Sequence, residues 1–135
     1  MSMPAHAQGS FEVKMTPQSE DKGAGSSLGR LTLEKVFQGD LTGAGKGEML
    51  TAMTDVQGSA AYVAVERVTG TLHGKAGSFT LVHTGLMSAA GQQLTISIVP
   101  DSGAGALKGI TGSFTIEITG GKHLYDLEYT LPPTP

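Results

Sequence analysis

A chain of 135 residues with a formal net charge of −3 is long enough for one domain that buries its core without staples. It lacks the basic face that nucleic acid or an anionic membrane favours. It contains no cysteine, which excludes disulfides, zinc–thiolate sites and cysteine nucleophiles.

Residues 1–8 read as a flexible tail. Ala5-His6-Ala7 has the small-x-small form of a secretory cleavage site, but the apolar stretch that precedes such a site is missing. No apolar run nears the ~18 residues that span a bilayer, so the cytoplasm is the expected compartment. From there most of the chain alternates with period two, and no window sustains a helical stripe. Strands are predicted over 10–16, 30–41, 48–54, 60–72, 78–86, 93–100, 113–119 and 124–131, each bounded by Gly, Pro, Asp or Ser clusters. Residues 18–29, rich in Gly, Ser and charge, read as a mobile loop, and 132–135 as a short tail. The 20 glycines without a G-x-y period suit a fold of many turns and bulges. The prediction is one all-β domain over 9–131, a single closed antiparallel β-barrel of about eight strands in meander order.

One turn device recurs. GTLHGKAGSFTL (70–81) matches GALKGITGSFTI (105–116), and GDLTGAGKGEML (39–50) is a looser copy. The expected structure is a β-corner whose leucine anchors a strand end while glycines supply positive φ or room for a bulge. Repetition of one turn favours closure, which removes sheet edges. Other barrels fit less well. There is no tryptophan for a lipocalin and no helical pair after the first strand for a fatty-acid-binding protein. A cupin's closely spaced histidines are also missing, since His73, His83 and His123 are far apart.

Two motifs resolve into turns. Gly45-Lys46 lacks the upstream glycine and the following Ser/Thr of a phosphate loop, and no helix follows it, so GDLTGAGKGE reads as a hairpin turn. Asp101-Ser102-Gly103-Ala104 copies an aspartic-protease signature but stands near the wrong end of the domain. Turn initiation by Pro-Asp-Ser-Gly accounts for it. His6 and His73, in tail and turn, read as solvated.

Polar residues on apolar strand faces carry the stronger signal. Lys35 shares parity with Leu31, Leu33 and Phe37, and His83 with Phe79 and Leu81. Tyr125 and Tyr129 share a face with His123, Leu127 and Leu131. Strand 60–72 has two candidate inner faces. The alanine-rich one would leave a cavity with Tyr62 and Glu66 at its wall. Glu48 competes with Met49 and Met53 for the inside, so its direction stays open.

The chain resembles a bacterial family of domains of unknown function, number 3224. The resemblance rests on LEKVFQGDLTGAGKGEML (33–50), SAAYVAVERVTGTLHGKAGSFTLVHTG (59–85), VPDSGAGALKGITGSF (99–114) and HLYDLEYTL (123–131). It spans nearly the whole chain and implies an allene-oxide-cyclase-like barrel with no established activity. Thr-Gly-Glu would be expected where this chain has Ala104-Gly105-Ala106, which removes a carboxylate.

Two functional readings follow, and a third stays open beside them. In the first, the interior binds a small apolar or amphipathic molecule, with Lys35, Glu48 and Tyr125 as candidate ligand contacts. In the second, a cofactor-free isomerase, cyclase or lyase uses Glu66 or His83 to move a proton, while Tyr62 or Lys35 stabilises an oxyanion. The third is a purely structural network, with Lys35 paired to Glu66 or Glu48 and His83 satisfied by a tyrosine. No metal or other cofactor is expected. Nor is a nucleic-acid or membrane partner, whereas homodimerisation through outer strand faces is.

Overall fold

The computed structural model describes residues 3–133. They form nine strands: β1 (Ala5–Lys22), β2 (Ser26–Gly39), β3 (Leu41–Thr54), β4 (Ala60–Leu72), β5 (Lys75–Ser88), β6 (Gly91–Ile98), β7 (Ala104–Gly105), β8 (Thr111–Thr119) and β9 (Lys122–Thr130). All pair antiparallel in the order β4-β3-β2-β1-β9-β8-β6-β5, and β5 pairs back with β4 to close the ring. The two-residue β7 is an addition beside the lower end of β5. This is the expected closed barrel of eight strands. No helix among the described residues is long and apolar enough to cross a membrane.

Three local expectations need correction. Residues 18–29 are not a mobile loop but the outer half of the β1–β2 hairpin, paired from Ser19↔Arg30 to Lys22↔Ser27. The register shifts between Pro17 and Ser19, where proline brings no N–H to the ladder. Gly25, at φ 85°, makes the tip turn, and β3 backs the hairpin from Ser26↔Thr54 onward. Second, the turn expected over GDLTGAGKGE shrinks to Gly39-Asp40, and Gly43, Gly45 and Gly47 lie within β3. There the backbones of β3 and β4 approach closely: a Cβ on Gly43 would stand 2.7 Å from the Gly70 Cα. Third, β1 begins at Ala5, inside the expected tail. Ala5–Phe11 pair with β9, and Ala7 is fully buried.

The repeated device does anchor strand ends. Leu41, Leu72 and Leu107 are all buried, as are Phe79 and Phe114 of the two close copies. In the first close copy the turn is His73-Gly74, with φ 46° and 81°, as a two-residue type I′ hairpin requires. His73 is not merely solvated there. Its Nδ1 is hydrogen-bonded to the Tyr129 hydroxyl, and Nε2 lies 3.6 Å from Asp40. Pro100 and Asp101 form the centre of a turn closed by the Ser102 N–H on the Val99 carbonyl, and the Ser102 hydroxyl accepts from the Thr80 N–H at 3.0 Å. Strand four also shows its direction. Ala64, Glu66 and Val68 point inward and are buried, while Val63 and Val65 are exposed on the outer wall beside Leu50 and Leu86.

The end of the barrel that carries these leucines is packed solid. Phe37 meets Tyr125 edge-on at 5.9 Å between centroids, and Phe114 stacks on Tyr125 at 5.5 Å. The Tyr125 hydroxyl accepts from the Leu41 N–H at 3.0 Å and donates to the Gln38 carbonyl at 2.9 Å. It thereby pegs β9 to the β2–β3 turn. Tyr125→Phe keeps the ring but orphans the Leu41 N–H, so it should cost about 1–3 kcal/mol, read from urea unfolding at neutral pH.

Candidate functional site

Above the packed half the barrel is open. A cavity of about 420 Å³ occupies the other end, walled by Phe11, Val13, Leu33, Met49, Ala64 and Ile116 among others. Its floor is polar: Lys35 of β2, Glu66 of β4 and His83 of β5 are 5%, 1% and 3% exposed. Lys35 Nζ and His83 Nε2 each lie 2.7 Å from the same oxygen, Glu66 Oε1. A carboxylate can only accept, so Nε2 is the nitrogen that carries the proton. Glu66 Oε2 is buried without a partner. Lys35 also stands over the Phe11 ring, 4.9 Å from its centroid, a favourable cation–π placement.

The strand register explains how these groups meet. Lys35 and Glu66 sit on strands separated by β3, where their neighbours are Gly45 and Gly47. With no side chain on those positions, the lysine reaches across β3 to the carboxylate. A Cβ on Gly45 would lie 2.6 Å from Glu66 Oε2. His83 is the diagonal neighbour of Glu66 on the adjacent strand, opposite Ala64, within the reach of long side chains. Tyr62 lines the wall above, its ring 6.5 Å from that of His83. It lies over Gly85, where any side chain would collide with the ring.

Electrostatics keep the Glu66 carboxyl ionised. Burial pushes the Glu66 carboxyl upward, but the His83 hydrogen bond and the Lys35 charge and hydrogen bond outweigh it, so its pKa falls below the ordinary 4.5. Burial, and then the Glu66 charge, raise the Tyr62 phenol above 10.0. Tyr62 is therefore a hydrogen-bond donor at neutral pH.

Lys35, Tyr62, Glu66 and His83 are thus gathered in one place. Glu48 is not among them. Met49 takes the inward position beside Ala64, which turns Glu48 to the outer wall, where it binds Arg30 at 2.7 Å. Tyr125 faces inward but in the packed half, with its hydroxyl held by backbone. Sequence reasoning missed Gly45, Gly47 and Gly85, which make the space. It also missed His123, which lines the wall 5.1 Å from the Phe11 ring. Alternate glycines at 43, 45 and 47 were the available signal, because they strip one strand face. Among the described residues, no three His, Cys, Asp or Glu side chains group as metal ligands.

Glu66→Gln would strand the Lys35 ammonium and should cost about 3–5 kcal/mol, whereas the Lys35→Met/Glu66→Gln pair should recover most of that loss; urea unfolding at pH 7 measures both. The lowered Glu66 pKa makes a further prediction. Its stabilisation is complete above the ordinary carboxylate value and is lost as pH falls through the folded value. Acid titration of stability should therefore be steeper for the parent than for the double variant.

The family described as "Protein of unknown function (DUF3224)" matches residues 7–129. A crystal structure of a protein of unknown function from that family, from Shewanella oneidensis MR-1, is 43% identical. It superposes with a TM-score of 0.91 over 96% of this chain and 99% of its own. No curated protein matches the chain. With the match running through every barrel strand and a solved barrel of the same shape beside it, this chain belongs to the DUF3224 family.

Proposed function

We propose that the open half of the barrel binds a small, mostly apolar molecule that carries one oxygen acceptor at its buried end. The observation behind this is the contrast between the walls and the floor of the 420 Å³ cavity. Aromatic, aliphatic and methionine side chains form the walls, and such surface is costly to leave wet. Among the polar groups that reach the cavity, Lys35 and Tyr62 can donate to a ligand, whereas His83 gives its Nε2–H to Glu66. The acceptor that orders two of them, Glu66, lies beneath and does not line the space. Met15, Met49, Met53 and Met87 also line the cavity, and flexible thioethers adapt to varied apolar shapes.

The cofactor-free isomerase, cyclase or lyase is the weaker reading. It draws on likeness to allene-oxide-cyclase-like barrels, and one fold hosts many chemistries. Glu66, a candidate proton carrier, spends Oε1 on Lys35 and His83 and turns Oε2 towards Gly45. That geometry suits a positioning group better than a base.

A thermal-shift screen comparing alkanes, alkanols, alkanoic acids and alkanamides tests the binding reading. Acceptor-ended molecules should raise the melting temperature, since a ligand at 100 times its Kd stabilises by about 2.7 kcal/mol. Ala64→Leu, which fills the floor, should cut affinity at least tenfold while the unliganded protein still melts cooperatively. A flat response across all four classes would sink the reading.

A further inference from the structure

We infer that the bound molecule is longer than the cavity, a straight-chain amphiphile whose apolar arm leaves the barrel sideways between β6 and β8. This rests on the binding reading and extends it to the shape of the ligand. The carrying observation is a gap in the ring of hydrogen bonds. Every other neighbouring pair of barrel strands shares a ladder of at least seven residue pairs. Among the described residues, β6 and β8 share a single pair, Ser97↔Ser113.

From that pair to the mouth, β6 runs back to Gly91 and β8 on to Thr119 with no ladder between them. At ~3.3 Å per residue the seam without a ladder is roughly 20 Å long, and the two strands stay side by side along part of it. Its edges are apolar on the inner side. Leu94 stands on β6, and Ile116 and Ile118 stand on β8. All three line the cavity, so the unpaired seam borders it. Their parity is that of the buried Ile96, Ile98 and Phe114, yet Leu94 is 36% and Ile118 67% exposed. Inward-facing apolar side chains left so open are a surface awaiting cover.

The depth of the seam fits the polar floor. His83 on β5 is directly opposite Ile96 on β6, one residue from the point where the ladder to β8 stops. A head group held by Lys35 therefore lies near the level where that ladder stops. A chain extending from that head can lie along Leu94, Ile116 and Ile118. Such a chain would cover the exposed faces of Leu94 and Ile118.

The test is a series of straight-chain alkanoic acids, from about six to about eighteen carbons, titrated by calorimetry into the parent and into Leu94→Ser/Ile118→Ser. Affinity of the parent should rise about fourfold per methylene, the ~0.8 kcal/mol of one buried CH₂, and keep rising for the longest chains. The double variant should lose progressively more affinity as the chain lengthens, tenfold or more for the longest chains relative to its loss for the shortest. Both altered positions are exposed in the unliganded barrel, and unchanged melting temperatures will confirm that the variant folds. Equal binding of long chains by parent and variant would overturn the lateral path and leave the binding reading standing. If no chain of any length binds the parent, both fall.

Discussion

A carboxylate placed in the interior of an otherwise apolar barrel must find partners within reach, because an isolated buried charge costs far more than a fold of this size can absorb. For Glu66 the partners come from two directions, and only one of them is a neighbouring strand. His83 is next door on β5, but Lys35 is on β2, with β3 between. Strands are ~4.8 Å apart, so the lysine can cross only if the intervening face of β3 is bare. Gly45 and Gly47 make it bare, and Oε2 then fills the space above Gly45. The glycines of β3, the buried lysine and the buried glutamate are one constraint seen from three strands.

That constraint divides the barrel. Below the ion pair the interior is filled by Phe37, Phe79, Phe114, Leu41, Leu72 and Leu107, and the Tyr125 hydroxyl locks the turn beneath. Above it the inward positions hold small or flexible residues, such as Ala64, Gly85, Thr51 and Met49, which fill little. The break between β6 and β8 follows from the same topology. The chain from Val99 to Ile110 folds back so that β7 takes the lower edge of β5. This leaves β6 paired to β5 only from Leu81↔Ile98 up to Ser88↔Gly91, and meeting β8 at its final residues alone. The single β6–β8 pair thus goes with where the backbone runs between residues 99 and 110.

Much of this was legible as alternation. The parity of Leu31, Leu33, Lys35 and Phe37 announced an inward lysine, and that of Phe79, Leu81 and His83 an inward histidine. Closure was legible from the repeated leucine-anchored turns. Strand four was ambiguous because both faces carry small apolar residues. What decides it is burial of Val68 and Glu66 against Gly45 and Gly47, a contact across strands that no single segment reveals. The β1–β2 hairpin was misread because Gly, Ser and charge signal a loop locally. Its order comes from pairing with β3, which lies outside any local window. The glycines of β3 misled in the same way, as turn residues in composition and space-makers in the sheet.

Stability alone does not account for the polar floor. Replacing a buried ion pair by well-packed apolar side chains is commonly neutral or stabilising, and the unpartnered Oε2 adds a penalty of about 1–3 kcal/mol. An apolar residue at 66 with another at 35 would close the same space at no electrostatic cost. What such a pair would lack is an ammonium donor held in one place. Lys35 has four rotatable bonds and His83 two ring nitrogens, and sharing Glu66 Oε1 removes both freedoms at once. Donors held in advance lose little entropy when an acceptor arrives. The Tyr62 phenol, kept protonated by burial and by the Glu66 charge, completes the set on the cavity side. On the proposed binding reading, Glu66 acts through the two groups it holds, and the instability it introduces is the cost of keeping them in place beside the cavity.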